Sequence, residues 1–476
     1  MDIEKTVMRP SPRPQRSLAM LSAALLLGGC ASFSPDGGFE AIQSAARSHL
    51  QKEVLWSRDE AARPHIQSRI DALLAQPLSA DDAVQIALLN NPGLQAAFHT
   101  LGIAEADRVA AQRLPNPGIS IGRLTRGSEV EWERSLHLNL ARLLTMPMRA
   151  GIEQRLFEQT RRMLVLDVLR LAADTRRAYY TAVAATQTAQ YRQQALDAAD
   201  AGAELARRMA QVGNWSRLKQ AREQAFYADA ALEVARSEQA KLQTRERLIR
   251  LMGLPNADKL QLPPRLPDLP ATLPALPDVE QQAMASRLDL QMTRLQAEAL
   301  AKNLGLTRRT RFVNVLELGV VNNGSNEEPQ QRGYEISFEL PLFDWGQTRV
   351  AAAESRYRQA LERARESAIN ARSEVREAYA MQHSQYAVAR HLRDEVVPLK
   401  KRISDENLLR YNGMLIGVFE LLADARSQIA AVNAAIDAQR DFWLAEADLR
   451  MALLGTPGKT AAPTSVSSAP AAAGGH

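Results

Sequence analysis

The plan of this sequence appears twice, and each copy places a pair of strand-like runs between helical stretches of matching length. Leu94-Gln95 returns as Leu290-Gln291. The strand end Leu136-His-Leu-Asn-Leu140 returns as Tyr334-Glu-Ile-Ser-Phe-Glu-Leu340, and Met252-Gly-Leu-Pro255 returns as Leu454-Gly-Thr-Pro457. The offset drifts only from 196 to 202 residues. Neither copy carries enough strand to close a sheet alone, and the chain as a whole supplies four strands. The duplicated element therefore reads as part of a ring built from several chains.

The strands are legible by alternation. Tyr334, Ile336, Phe338 and Leu340 alternate with Glu335, Ser337 and Glu339, a period of two. Leu136, Leu138 and Leu140 alternate with Ser135, His137 and Asn139, and Ile119 and Ile121 with Ser120 and Gly122. Phe312 to Val321 is a further strand-like run. The connecting tips, Thr125 to Val130 and Asn322 to Gly333, are polar and rich in turn formers. The expected hairpins span 118–140 and 312–341. Apolar on one face and polar on the other suits a membrane barrel strand, and an ordinary half-buried sheet gives the same alternation.

Between the hairpins the chain is dominated by Ala, Leu, Arg, Gln and Glu, and aromatics are only 5%, a mixture that suits long helices packed side by side. A heptad seam runs through Leu164, Val168, Leu171, Thr175, Ala178, Ala182, Ala185 and Ala189. Its counterpart runs through Leu361, Ala364, Ala368, Ala371, Val375 and Ala378, then Ala389, Leu392, Val396, Leu399 and Ile403. Spacings of three and four sustained over this length predict coiled-coil rods. A helix from Trp345 to Asn412 would be roughly 100 Å long at about 1.5 Å per residue, with a kink expected at Pro398. The return path is split into half-length helices: Ser79 to Arg113, Trp215 to Leu251, Val279 to Arg309 and Ile416 to Leu454. The proline-rich stretch from Pro255 to Pro277 cannot be helical and reads as a loop wrapping the rods.

These readings divide the chain into a first repeat over 78–254, a linker over 255–277 and a second repeat over 278–455. A tail over 456–476, rich in Ala, Pro, Ser and Gly, is expected to be disordered. Residues 1–29 read as an export signal: Lys5, Arg9, Arg13 and Arg16 precede an apolar run from Leu18 to Leu27 that is too short to span a bilayer. The run ends in Leu27-Gly28-Gly29-Cys30, similar to a lipoprotein cleavage box, and Cys30 is the single cysteine in the chain. With no partner for a disulfide, Cys30 is the expected lipid attachment site at the head of an anchored segment over 30–77.

In this order the residues resemble the TolC-like outer-membrane efflux proteins, particularly the lipid-anchored branch. The resemblance covers roughly Leu78 to Gly455. It rests on the two repeats, on Pro341-Leu-Phe-Asp-Trp-Gly346 at a strand-to-helix passage, and on two helix tips. The first tip reads Gln211-Val-Gly213-Asn-Trp-Ser216-Arg-Leu218. The second reads Tyr411-Asn-Gly413-Met-Leu-Ile-Gly417-Val-Phe-Glu420-Leu-Leu-Ala423-Asp424-Ala-Arg426. Gly413 lies one residue earlier than the family's usual glycine, and Ala423 stands where an acid is usual, with Asp424 one position on.

The resemblance implies a mainly α chain with a small β part and two internal repeats. In the family three copies form a coiled-coil α-helical barrel continued by a membrane β-barrel, with four strands per chain. It implies a homotrimer in the outer membrane, extending into the periplasm, in contact with lipid, with a periplasmic adaptor and with an inner-membrane pump. It also implies docking at tip residues Gly213, Asn214, Ser216, Tyr411, Gly413 and Gly417, and strand–helix junctions at Pro147, Pro341 and Gly346. Glu420 and Asp424 are candidate pore-gate acids, and ordinary solvated charges fit them as well. Cargo, whether small molecules or metal ions, leaves no signature in the residues.

No catalytic arrangement accompanies these features. There is no His-Glu-x-x-His, Gly-x-Ser-x-Gly or Cys-x-x-Cys, and the seven histidines are scattered. Gly455-Thr-Pro-Gly458-Lys459-Thr460 imitates a phosphate loop but has Leu453 where the first glycine belongs. No enzyme activity, cofactor or resident metal is expected. The formal charge of +5 comes from interspersed residues, without the basic patch that nucleic acid would require. The alternative is a periplasmic coiled-coil lipoprotein acting as a scaffold, which explains the rods and Cys30 but not the strands.

Overall fold

The computed structural model describes residues 32–58, 63–256, 258–313 and 315–456, so the export signal, Cys30 and the tail beyond Thr456 lie outside the described residues. In chain order the elements are α1 (Glu40–Leu50), α2 (Arg63–Leu73), α3 (Ala80–Asn90), α4 (Pro92–Gln112), β1 (Gly118–Arg126), β2 (Glu129–Asn139), α5 (Leu140–Gln211), α6 (Arg217–Met252), α7 (Val279–Ser286), α8 (Leu288–Thr310), β3 (Leu316–Ser325), β4 (Gln331–Phe338), α9 (Gln347–His391), a π-helical turn (Leu392–Val396), α10 (Val397–Asn412) and α11 (Val418–Ala452). Mainly helical with one small sheet, this is the architecture expected from the sequence. The chain divides into two units, one of Thr100–Thr160 and Leu295–Leu361 with the described residues before Phe39, the other of Phe39–His99, Arg161–Arg294 and the described residues from Glu362.

The first unit holds the sheet, ordered β1-β2-β3-β4 and antiparallel throughout. Ile119 faces Leu136, Leu136 faces Val320, and Val320 faces Tyr334. One register step away, Leu138 faces Leu318, which faces Ile336. Because side chains alternate, these residues share one face, and most are exposed, Tyr334 at 80%. The opposite face carries Ser120, Glu129, Glu131, Glu133, Ser135, Glu317, Ser337 and Glu335. β1 and β4 are the edges, each with one side unpaired within the sheet.

The passage after β4 is built around one carboxylate. Asp344 accepts from the Gly346 amide at 2.8 Å and from the Thr348 hydroxyl at 2.8 Å. Gly346 has φ +74°, and a Cβ there would stand 2.5 Å from the Arg311 carbonyl oxygen, so only glycine fits. Pro341 lies between the last residue of β4 and this turn, where no ladder bond is asked of it. Pro147 differs from expectation: it sits inside α5 rather than at a junction. The junction comes earlier because the Asn139 side chain, at the end of β2, accepts from the Arg142 amide at 2.7 Å and starts the helix at once.

The second unit is packed around the alanine-rich seam of α5. Leu164, Val168, Thr175, Ala178, Ala182 and Ala189 are all buried, and small side chains at these positions allow close helix approach. The proline-rich linker is stitched on by side chains that complete its carbonyls. Trp443 donates to Pro267 at 3.1 Å, Gln439 donates to the same oxygen at 2.7 Å, and Tyr386 donates to Pro270 at 2.9 Å. Leu260 and Leu266 fill the main core beside Tyr179 and Met252. Upstream, Glu53–Ser57 is held in extended form by two glutamines. Gln85 bonds the Glu53 backbone at 2.9 and 3.1 Å, and Gln95 bonds Leu55 and Ser57 at 2.8 and 3.0 Å.

Two expected helices are each broken once, and the breaks correspond. Asn91 separates α3 from α4 and Arg287 separates α7 from α8. At the first break Asn90 donates to the carbonyls of Met252 and Gly253 at 3.1 and 2.8 Å, and Asn91 donates to Leu251 at 2.9 Å. At the second, Arg287 donates to Ala452 at 3.1 Å, Ser286 to Leu453 at 2.8 Å, and the Leu288 amide to Leu454 at 2.8 Å. Each break thus caps the orphan carbonyls at the end of a return helix.

Arg287 is only 1% exposed and also binds Asp289 at 2.6 and 3.0 Å and Glu374 at 2.7 Å. Burial works to raise the Asp289 pKa, but the hydrogen bonds and charge of Arg287, with donors from Thr456 and the Leu290 amide, outweigh it and hold the carboxyl below its ordinary value. Thr456, the first residue of the expected tail, is tied in at 2.8 Å to Asp289.

The second rod is continuous from α9 through α10, with the π turn directly before Pro398. Proline lacks an N–H and its ring clashes with the carbonyl four residues back. The wider turn, in which the Val397 amide bonds Leu392, gives that carbonyl room. The expected disturbance therefore takes the form of a π bulge.

Candidate functional site

The helix tips end in the same backbone device with different residues in it. At the first, Asn214 bonds back to the Met209 carbonyl at 2.9 Å and Gly213 to Ala210 at 3.1 Å. At the second, Leu415 bonds back to Arg410 at 2.8 Å and Met414 to Tyr411 at 2.9 Å. Both are six-to-one closures requiring one left-handed residue just past the helix. Gly213 supplies it at φ +79°. In the second tip Gly413 has φ −82°, and the left-handed position falls on Met414 at φ 59°. The early glycine seen in the sequence is thus not the one that makes the reversal.

The outgoing helices also start differently. Ser216 caps α6 by accepting from the Lys219 amide at 3.3 Å, whereas Gly417 precedes α11 with no side-chain cap. Asn214 contributes its backbone amide to the first closure, and Tyr411 its carbonyl to the second. Around the turns the surface is apolar and bare: Val212, Leu218, Leu409 and Leu415 are exposed, and Met414 is 93% exposed.

The two candidate acids part company. Glu420 is exposed in the first turn of α11. Asp424 accepts a hydrogen bond from Asn407 and is half-buried. Sequence reasoning missed a third acid, Glu223, which is 2% exposed and paired with Arg426. Arg426 also lies 4.1 Å over the Phe226 ring, and Gly202 admits Leu422 to 3.3 Å of where its Cβ would be. Glu223 sits in an otherwise charged helical run, so nothing in the local pattern distinguishes it from a solvated residue. Among the described residues no cluster of three His, Cys, Asp or Glu could hold a metal ion.

Among the described residues the arrangement offers two helix reversals with apolar skirts and a sheet with open edges, and no convergent acid–base or nucleophilic group. No family model and no curated protein matches the sequence. Solved structures do match. The outer membrane channel CmeC of Campylobacter jejuni superposes with a TM-score of 0.67 over 84% of this chain and 89% of its own, at 16% identity. The chain has the TolC-like fold. The open-state MtrE outer membrane channel of Neisseria gonorrhoeae gives 0.64 at 19% identity over 83% and 90%, and the outer-membrane channel OprN gives 0.67 at 17% over 89% and 96%. With identities this low the likeness lies in the TolC-like backbone plan, and the tips described above belong to this chain.

Proposed function

We propose that the chain is one protomer of a homotrimeric exit duct in the outer membrane, attached by lipid at Cys30 and extending into the periplasm. Small molecules or metal ions delivered by an inner-membrane pump through a periplasmic adaptor pass along it without covalent chemistry, cofactor or nucleic acid. The observation that carries this reading is the unfinished sheet, whose two edges are unpaired and whose apolar face is bare. An exposed edge is a template for pairing with another chain, and closing the sheet into a barrel removes every edge. One chain gives four strands, and three give about twelve, enough to leave a lumen where about eight are filled by side chains.

The likeness to solved outer-membrane channels supports the same conclusion. So does the second rod, where Leu361, Leu399 and Ile403 are exposed although they lie in the helical seam. A neighbouring copy would cover them. Gly213, Asn214 and Ser216 at one tip, and Tyr411, Gly413 and Gly417 at the other, would present the apolar skirt to the adaptor. Glu420 would face the mouth, with Asp424 gating only if its bond to Asn407 opens.

Purified protein added to planar bilayers is expected to form pores and to run as a trimer after cross-linking. A monomer that conducts nothing would leave the scaffold reading in possession of the field. Cysteines introduced at Gly127 and Gly324 are expected to react with an impermeant reagent in intact cells. Protection of both would place the hairpin tips on the wrong side of the membrane for a duct.

A further inference from the structure

Above the apolar band, the same face of the sheet changes character. Arg123 stands opposite Trp132, Arg134 opposite Ile121, and Arg332 opposite Asn322. Alternation puts all three arginines on the face of Ile119, Leu136, Val320 and Tyr334. All three are exposed. Arg123 lies 5.6 Å from the Trp132 ring centroid, and Arg332 donates to the neutral Gln330 amide oxygen at 3.4 Å. No strand residue on this face is acidic, whereas Glu129, Glu131, Glu133, Glu317 and Glu335 all occupy the other. Among the described residues none of the three arginines is in an ion pair, although the chain has many.

Position and charge together say what would cover this patch. Arg332 stands about 20 Å along β4 from Phe338, at roughly 3.4 Å per residue. With the usual tilt of barrel strands, that puts the arginines near one border of an apolar band of about 25 Å. A tryptophan at this level is a residue of the membrane–water boundary. Arg134 and Arg332 are separated by a single strand, about 10 Å at a spacing of roughly 4.8 Å. A guanidinium fork matches phosphate oxygens in two-point geometry, and its weak hydration suits a half-dry boundary.

We propose that Arg123, Arg134 and Arg332, with Trp132, form a binding surface for the phosphate groups of anionic lipid headgroups on the outward face of the sheet, on the side of the hairpin tips. The surface rests on the outer-membrane channel reading, which supplies the lipid. It gives the duct a fixed depth and tilt: acyl chains lie on the apolar band while the phosphates are held at its rim. The five glutamates on the opposite face keep the same phosphates from being accepted there.

The test uses the purified full-length protein in detergent, offered equal amounts of phosphatidylglycerol and phosphatidylcholine, with retained lipid counted by mass spectrometry. The wild type is expected to keep phosphatidylglycerol over phosphatidylcholine by about fivefold, and R123Q/R134Q/R332Q to fall close to parity. The corresponding triple lysine variant should lie between them, because charge remains while the fork is lost. If the triple glutamine variant fails to assemble, Arg134→Gln alone should lower the preference about twofold. Equal retention by the wild type, or an undiminished preference in these variants, overturns the proposal. Complete displacement of phosphatidylglycerol by an equal concentration of inorganic phosphate also overturns it, since the lipid would then contribute nothing. Wild-type conductance in pure phosphatidylcholine bilayers separates the two readings. Pores without lipid preference reject the headgroup surface alone, and absence of pores in any bilayer rejects the channel and the surface with it.

Discussion

The two long helices descend from the same plan and are used differently. α5 buries its seam within its own chain, with Leu164, Val168, Ala178 and Ala182 all out of solvent. Along α9 and α10 the seam is only partly covered: Ala371 and Val375 are buried, but Leu399 and Ile403 are exposed. The first rod is finished inside the protomer, whereas the second leaves seam positions uncovered. Duplication has kept the heptad spacing, and under the proposed trimer its use is divided between folding and assembly. The helix breaks also diverge in chemistry: neutral amides of Asn90 and Asn91 serve in the first copy, and a buried, charged Arg287 serves in the second.

The largest effect should come from the charged break. Arg287→Leu leaves Asp289 and Glu374 without their shared cation and is expected to cost about 3–5 kcal/mol in thermal or denaturant unfolding. Asn91→Leu, which strands a carbonyl but no charge, should cost about 1–3 kcal/mol. Equal losses would show that charge contributes nothing special to the second copy. For the rods, Leu164→Ala should destabilise the protomer by about 2–5 kcal/mol. Leu399→Ala should leave protomer unfolding within about 0.5 kcal/mol and instead reduce the trimer fraction in cross-linking. If both substitutions act on the protomer alone, the division between folding and assembly is wrong.

The tips give a smaller contrast of opposite sign. Gly213→Ala forces a side chain into left-handed backbone and should cost about 1 kcal/mol, whereas Met414→Gly relieves the same strain and should gain up to about that amount. Parallel shifts in the two melting curves would mean that the closures are not equivalent. The smallest effect is acid sensitivity. Because the Asp289 carboxyl is held below the ordinary carboxylate range by Arg287, its contribution is present above that range and is lost as pH falls through the depressed folded value. Hydrogen exchange at the end of α11 should rise in that acid range, while the end of α6, capped by neutral amides, should not follow.

Much of the fold could be read in advance because its signals are periodic. Strand alternation at Tyr334–Leu340 and heptad spacing at Leu164–Ala189 both depend only on which side of the element each residue occupies. The misses are places where one side chain decides. Pro92-Gly93 directly after Asn91 marks the first break, but a helical pattern runs through Arg287 without a glycine or proline to announce a stop, and both breaks are fixed by bonds to carbonyls on a helix far along the chain. Pro147 suggested a boundary that Asn139 had already set. At the second tip Gly413 drew the eye, but the hydrogen-bond count from Arg410 places the left-handed residue at Met414. Glu223 stayed hidden because burial of an acid depends on Arg426, which lies far away in sequence. Of the candidate site, the location of the reversals was legible and the residues that shape them were not.

The open borders of the four-stranded sheet have a genetic consequence. Under the proposed trimer, a closed ring needs every seam, so a copy with one spoiled edge damages each assembly it enters. In a cell making sound and spoiled copies in equal amounts, about one trimer in eight would be wholly sound if copies mix at random. A chain carrying a proline in the outer edge of β1 or β4 should therefore act as a dominant poison, silencing far more export than its own share of the pool.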